Sequence, residues 1–91
     1  MSKFTEKQGQ YLAFIYAYTV INRRAPAEAD MQSFFRVSPP SVHTMVVGLE
    51  AKGLIERTPG AARSIRVLEA PEDLPILRDP AQPIKSPVGD Y

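Results

Sequence analysis

The stretch that most narrows the possible folds is RVSPPSVHTMVVGLEAKGLIERTPGAARSIRVL, residues 36–68. Ser38 is a good helix N-cap, and Pro39 suits the first helical position, where no amide donor is needed. Val42, Val46 and Leu49 then recur at i, i+4 and i+7, which places them on one inward face. Gly53 follows a lysine and is free to take positive φ, so it stops the helix. Leu54 folds back as the usual hydrophobic contact past such a cap. Two runs, LIERT and RSIRVL, flank PGAA and read as strands of a hairpin. Ile65 and Val67 alternate with Ser64 and Arg66, giving one apolar and one wet face.

Two further helices precede this unit. Thr5 is an N-cap with Gln8 three residues on, as in a capping box, and opens a helix over about residues 6–22. Leu12, Ile15, Tyr16 and Thr19 share one face. Tyr11, Phe14, Tyr18 and Ile21 form a second stripe, and a helix apolar around so much of its circumference is buried on more than one side. Two readings of that stripe stand: packing within the chain, or a homodimer interface. Pro26 breaks the helix and biases Ala25 toward extended geometry. A short helix over about residues 28–35 follows, with Met31, Phe34 and Phe35 on one side. Glu28 and Asp30 sit in its first turn, where the helix dipole favours acids. Ala27 offers no side-chain acceptor as N-cap, which should weaken the start by roughly 1 kcal/mol.

With 91 residues, the chain is one small domain. It has no cysteine, so disulfides and thiolate metal sites are excluded. Its one histidine, His43, lacks partners for a zinc site, and no metal, cofactor or small-molecule ligand is expected. No apolar run is long enough to span a bilayer, and MSKFTEKQGQ has no signal-peptide core, so a cytoplasmic protein is expected. The net charge of +1 conceals an asymmetry. Residues 1–70 carry nine basic groups against six acidic ones, and residues 71–91 two against four. The first part, read as the folded domain, is mildly basic, as a polyanion partner would require. Residues 71–91, with five prolines, read as a tail without helix or sheet. Leu74, Ile76, Leu77, Ile84, Val88 and Tyr91 nevertheless make it too apolar for a pure linker. The tail is therefore expected to be partly docked or disordered, and the Tyr11, Phe14, Tyr18 stripe is one candidate seat.

Helix, helix, turn, helix, hairpin is the winged helix-turn-helix plan, mainly α with a small β-hairpin. A protruding capped helix supported by a short partner fits the major groove of B-DNA, and a small-residue wing reaches the adjacent backbone or minor groove. The reading helix spans about 39–52 and the wing about 58–66. At this point the chain resembles the N-terminal DNA-binding domain of the LexA repressors over residues 4–69. The likeness runs through FTEKQGQYLAFI, APAEADMQSFF, VSPPSVHTMVVGLEAKGLIER and PGAARSIRVL. It implies a scaffold for double-stranded DNA and a role in transcription regulation. Two departures limit what it carries. The family's self-cleaving C-terminal domain, with its serine–lysine dyad, is not in this sequence, so self-cleavage is not expected. Positions where relatives place polar readers of bases hold Pro40, Ser41, His43 and Thr44, followed outward by Val47 and Gly48.

The candidate DNA-binding residues are Arg36, Ser38, Pro40, Ser41, His43, Thr44, Lys52, Arg63, Ser64 and Arg66. Ser41, His43 and Thr44 are short hydrogen-bonding groups able to reach base edges, and a threonine methyl can touch thymine. Arg36 and Lys52 suit phosphate contacts that set register, although Lys52 equally complements the helix dipole. Arg63, at the wing tip, Ser64 and Arg66 are read as wing contacts. Arg23 and Arg24 form a basic pair at a helix end, most simply a solvated terminus. No nucleophile with a base and no phosphate-binding glycine loop appears, so catalysis is not expected. The competing class is a winged-helix module for protein interaction, favoured by the apolar outward residues Met45, Val47 and Gly48.

Overall fold

A computed structural model describes residues 3–80. Helices α1 (Glu6–Asn22), α2 (Glu28–Phe35) and α3 (Pro39–Ala51) precede strands β1 (Ile55–Glu56) and β2 (Arg66–Val67). The strands pair antiparallel, with Ile55 opposite Val67 and Glu56 opposite Arg66. This is the winged helix-turn-helix arrangement.

Each boundary has a local cause. The Thr5 hydroxyl accepts from the Gln8 amide at 3.1 Å, and the Gln8 side chain accepts from the Thr5 amide at 2.9 Å, completing the capping box. At α2 the missing acceptor on Ala27 is offset from the other side. The Asp30 carboxylate accepts from the Ala27 amide at 2.8 Å, which is one half of a box. Ser38 caps α3 by accepting from the Ser41 amide at 3.3 Å, with Pro39 in the first turn. After α3, Gly53 takes φ of 75°, its amide donates to Glu50 O at 3.0 Å, and the Leu54 amide donates to Leu49 O at 3.0 Å. That pair of bonds is a Schellman stop, with Leu54 buried as its hydrophobic contact. α1 and α2 end instead on Arg23 and Arg36 in the left-handed region, without glycine.

The core lies where the three helices meet the hairpin. Leu12, Ile15, Met31, Val42, Val46, Leu49 and Ile55 are fully enclosed; the three of α3 follow its periodicity, whereas Tyr16 and Thr19, read on one face with Leu12 and Ile15, are exposed. Tyr11 and Phe14 of the second stripe of α1 are used internally, in keeping with the reading of that stripe as packing within the chain. Tyr11 stacks on Phe35 with centroids 4.1 Å apart, and Phe14 on Phe34 at 4.7 Å. Burial pushes the Tyr11 phenol's pKa up. Tyr11 and Phe14 are therefore unavailable to a partner, Tyr18 is half-buried, and Ile21 alone of the four is strongly exposed. The aromatic rings on α2 supplied the cover that the stripe required.

The hairpin is shorter than the alternating runs suggest. Its ladder stops at the Glu56–Arg66 pair, and the Ser64 side chain takes over. Its hydroxyl oxygen accepts from the Thr58 amide at 3.0 Å, and the hydroxyl donates to Thr58 O at 3.2 Å.

The described part of the tail docks, but on a different seat from the aromatic stripe, which α2 already covers. A single 3-10 turn, Pro71–Asp73, leads into chain that lies on the first turns of α1. Gln10 donates to Ile76 O at 2.9 Å and accepts from the Arg78 amide at 2.8 Å, and Arg78 pairs with Glu6 at 2.6 Å. Leu74 and Leu77 pack against the core edge. Ile84, Val88 and Tyr91 lie outside the described residues. Gly9 makes this docking possible: a Cβ there would stand 2.9 Å from the Phe4 ring and 3.0 Å from Pro75. Alanine at an interior helix position ordinarily stabilises by about 1 kcal/mol over glycine. Gly9→Ala should instead leave global stability within about 1 kcal/mol of the parent, because crowding offsets the helix gain. The Arg78 amide should lose its protection in hydrogen-exchange NMR. Retained protection would mean that the tail does not depend on this close approach.

Candidate nucleic-acid interface

With Val42, Val46 and Leu49 turned inward, α3 presents Pro40, Ser41, Thr44, Val47, Gly48 and Ala51 to solvent. This strip carries no charge. Charged groups stand on its flanks. On one side Lys7 of α1 lines a shallow cleft with Tyr11, Val37, Pro40, Ser41 and Thr44, and Lys52 donates to the Gln8 side chain at 3.0 Å. On the other side His43 Nδ1 lies 3.3 Å from Glu28, and Arg57 pairs with Glu50 at 2.7 Å and approaches Glu28 at 3.8 Å. These bonds tie α2, α3 and the root of the wing together beside the strip.

The predicted residues divide accordingly. Pro40, Ser41 and Thr44 lie together on the exposed strip. His43 is exposed but leans toward α2 through Glu28. Ser38 spends its oxygen on the cap and lies 3.0 Å from the Ser41 hydroxyl. Lys52 stands at the far end of α3 beside α1. Arg36 is exposed at the turn and enters no ion pair among the described residues. Arg66 is on the wet face of the hairpin, paired across it with Glu56. Ser64 is the brace of the wing turn rather than a free donor.

Arg63 departs most from expectation, which had it pointing from the wing tip toward DNA. Its backbone takes φ of 54°, and the side chain turns back into the domain. One guanidinium nitrogen donates to Asp30 at 3.0 Å, to Tyr18 Oη at 3.2 Å and to Ala25 O at 3.2 Å. The left-handed backbone aims the side chain at α1 and α2, and the acceptors there hold it. The tip itself, residues 58–62, is exposed and uncharged, turned by Gly60 at φ of 77°. Two side chains beside the strip escaped sequence reasoning: Lys7 and Arg57. Lys7 is in α1, whose pattern concerns other faces, and Arg57 follows β1; only tertiary packing brings them beside α3.

Asp30 is the hinge of this arrangement. The Ala27 amide, then the Arg63 guanidinium and the Tyr18 hydroxyl, hold its carboxyl below the usual carboxylate range against the opposing effect of burial. A carboxyl depressed on folding contributes stability that is present above its unfolded pKa, near 4, and is lost as pH falls through the lower folded value.

Comparison with known proteins agrees with this geometry. The model of the LexA DNA binding domain matches residues 1–64. The chain is similar to the LexA repressor of Thermosipho melanesiensis, 38% identical over 74 residues, covering 81% of this chain and 37% of that protein. It is 36% identical over 76 residues to the LexA repressor of Thermosipho africanus, covering 84% of this chain and 38% of the relative. For the LexA repressor of Pseudomonas chlororaphis the identity is 40% over 83 residues, covering 85% and 41%. The protein is thus of the winged helix-turn-helix class, and within that class it belongs to the LexA DNA-binding domain family. The chain spans well under half the length of these relatives.

Two outcomes are expected from the site's geometry. Asp30→Asn keeps an acceptor for the Ala27 amide but removes the charge that Arg63 meets. Thermal unfolding from pH 7 to pH 2 should show a lower midpoint at neutral pH and a shallower acid fall than the parent; parallel curves would remove Asp30 from the acid response. Gly48 is in mid-helix, and a Cβ added there meets nothing within 4 Å. Gly48→Ala should therefore stabilise the free protein by about 0.5–1 kcal/mol in urea denaturation.

Proposed function

We propose that this chain binds double-stranded DNA as a transcription regulator, with the exposed face of α3 in the major groove and the wing beside it. The observation that carries this reading is the uncharged, solvent-facing strip of α3, with Lys7 of α1, Arg36 at the turn and Lys52 at the helix end around it and the carboxylates on its other flank met by Arg57 and His43. Groove readers place phosphate contacts around base contacts in this manner. Ser41 and Thr44 face the base edges, with Pro40 alongside. Lys7, Arg36 and Lys52 hold phosphates, and Arg66 does so where DNA displaces it from Glu56. Arg63 and Ser64 act by shaping the wing. His43 supports the α2 edge of the strip. The relatives carry the name repressor, and repression is the sense assigned to this chain.

The proposal includes no catalytic step, cofactor or small-molecule effector. It places the protein with the chromosome in the cytoplasm; no helix among the described residues is long and apolar enough to cross a membrane. Residues 1–70 form the DNA-binding unit, and the tail beyond them is an accessory segment seated on α1. A homodimer remains part of the proposal on a revised surface, because the exposed apolar side chains of α1 are Tyr16, Val20 and Ile21. Two subunits would read half-sites about one helical turn apart.

The test is fluorescence anisotropy on a random duplex pool at roughly 50 and 200 mM salt, followed by sequencing of the bound fraction. About four phosphate contacts predict a loss on the order of 100-fold between the two conditions. An enriched motif is expected, and a palindromic one would support the dimer. Lys7→Ala and Lys52→Ala should each weaken binding to all sequences alike and flatten the salt slope. Absence of binding at low salt would overturn the proposal in favour of a protein-interaction module.

A further inference from the structure

The strip on α3 lacks the side chains that usually recognise purines. Bidentate recognition of guanine uses arginine or lysine, and that of adenine uses asparagine or glutamine. None of these occurs from Pro39 to Ala51. The polar groups near the strip are largely committed elsewhere: Ser38 to its cap, His43 toward Glu28, Lys52 to Gln8. What remains along the centre is exposed Thr44, Val47 and Ala51, with a half-buried Gly48 that is open where a Cβ would point.

Val47 and Gly48 are costly choices for a helix. Valine is stiff at χ1, and glycine is the least favourable residue after proline. Neither cost is recovered within the chain. Val47 is 44% exposed, and Gly48 has open space where a Cβ would be. Methyl groups presented outward beside a position without a side chain make a low apolar surface, suited to close approach by an apolar feature of a ligand. In the major groove one base edge offers such a feature, the C5-methyl of thymine.

We propose that α3 recognises its DNA through thymine methyl groups, with Val47 and the Thr44 methyl as specificity-determining contacts and Gly48 as the clearance that lets the helix seat. This rests on the DNA-binding reading above and adds the chemical class of sequence recognised. Specificity then comes from apolar contact at thymines, supplemented by the hydroxyls of Ser41 and Thr44. Cations outside the strip supply affinity without base preference.

The experiment uses the full chain and the duplex enriched by selection. Each thymine is replaced in turn by uracil, which removes the methyl and leaves the pairing edge unchanged. Loss of a buried methyl is worth about fourfold in affinity, and that drop is expected at the contacted thymines. Val47→Ala should abolish the uracil effect at one position and Thr44→Ser at another, each leaving the remaining positions sensitive. Gly48→Ala should weaken binding to the selected duplex by at least about tenfold, the effect of roughly 1.4 kcal/mol. Circular dichroism on each variant verifies that the helices are intact, as these exposed positions predict. Selective binding that ignores uracil at every thymine would overturn the inference and leave the proposed function standing. Failure to select any sequence would overturn both.

Discussion

The wing of this domain is held by a carboxylate that serves two elements at once. Asp30 accepts the Ala27 amide that α2 would otherwise leave without a cap, and it receives the Arg63 guanidinium from beside the wing tip. The same guanidinium reaches Tyr18 on α1 and the carbonyl of Ala25 in the turn. Four segments thus converge on one ion pair, and the ladder of the hairpin is too short to replace it. Two residues per strand cannot set the direction of a wing, because an isolated two-stranded pair is marginal in water. Its orientation comes from the anchor beneath it.

The helix that faces outward depends on a different constraint, the partition of its surface. Val42, Val46 and Leu49 give α3 one rigid seat on the core, and the Schellman stop with Leu54 fixes where the chain leaves it. A helix held by one apolar face and two defined ends has little freedom to rotate. The positions left outside are then presented in a definite order. Arg57 reinforces this from the wing root by pairing with Glu50 of α3 and approaching Glu28 of α2.

Much of this was legible in the sequence because it is written locally. The Thr5–Gln8 box, the Ser38-Pro39 start, the Gly53 stop and the valine periodicity of α3 involve residues a few positions apart, and each appears in the structure where it is read. The failures share a cause. The fate of Arg63 depends on Asp30, 33 residues away, and on Tyr18, 45 residues away. No periodicity encodes such a meeting, so a basic residue near a wing tip reads as a DNA contact. The aromatic stripe of α1 leaves two readings open for the same reason. Its partners, Phe34 and Phe35, share one side of α2, and nothing local in the sequence says which helix that side meets. A left-handed backbone at a non-glycine residue, as at Arg63, likewise leaves no sequence trace.

The tertiary commitments also change the meaning of the charge. Of the basic residues in the described part, Lys3, Arg57, Arg63, Arg66 and Arg78 are engaged with carboxylates of the same chain. Attraction to a polyanion therefore falls chiefly on cations outside these pairs, such as Lys7 and Arg36, with Lys52 held only by a neutral amide. A small net charge distributed in this way gives a modest electrostatic pull. It places a larger share of discrimination on shape and apolar contact at the face of α3. The guanidiniums of Arg57, Arg63 and Arg66 are engaged in and around the wing, and α3 itself carries none for reading guanine. The chemistry remaining on α3, methyl groups and short hydroxyls, is suited to a different base, thymine with its C5-methyl.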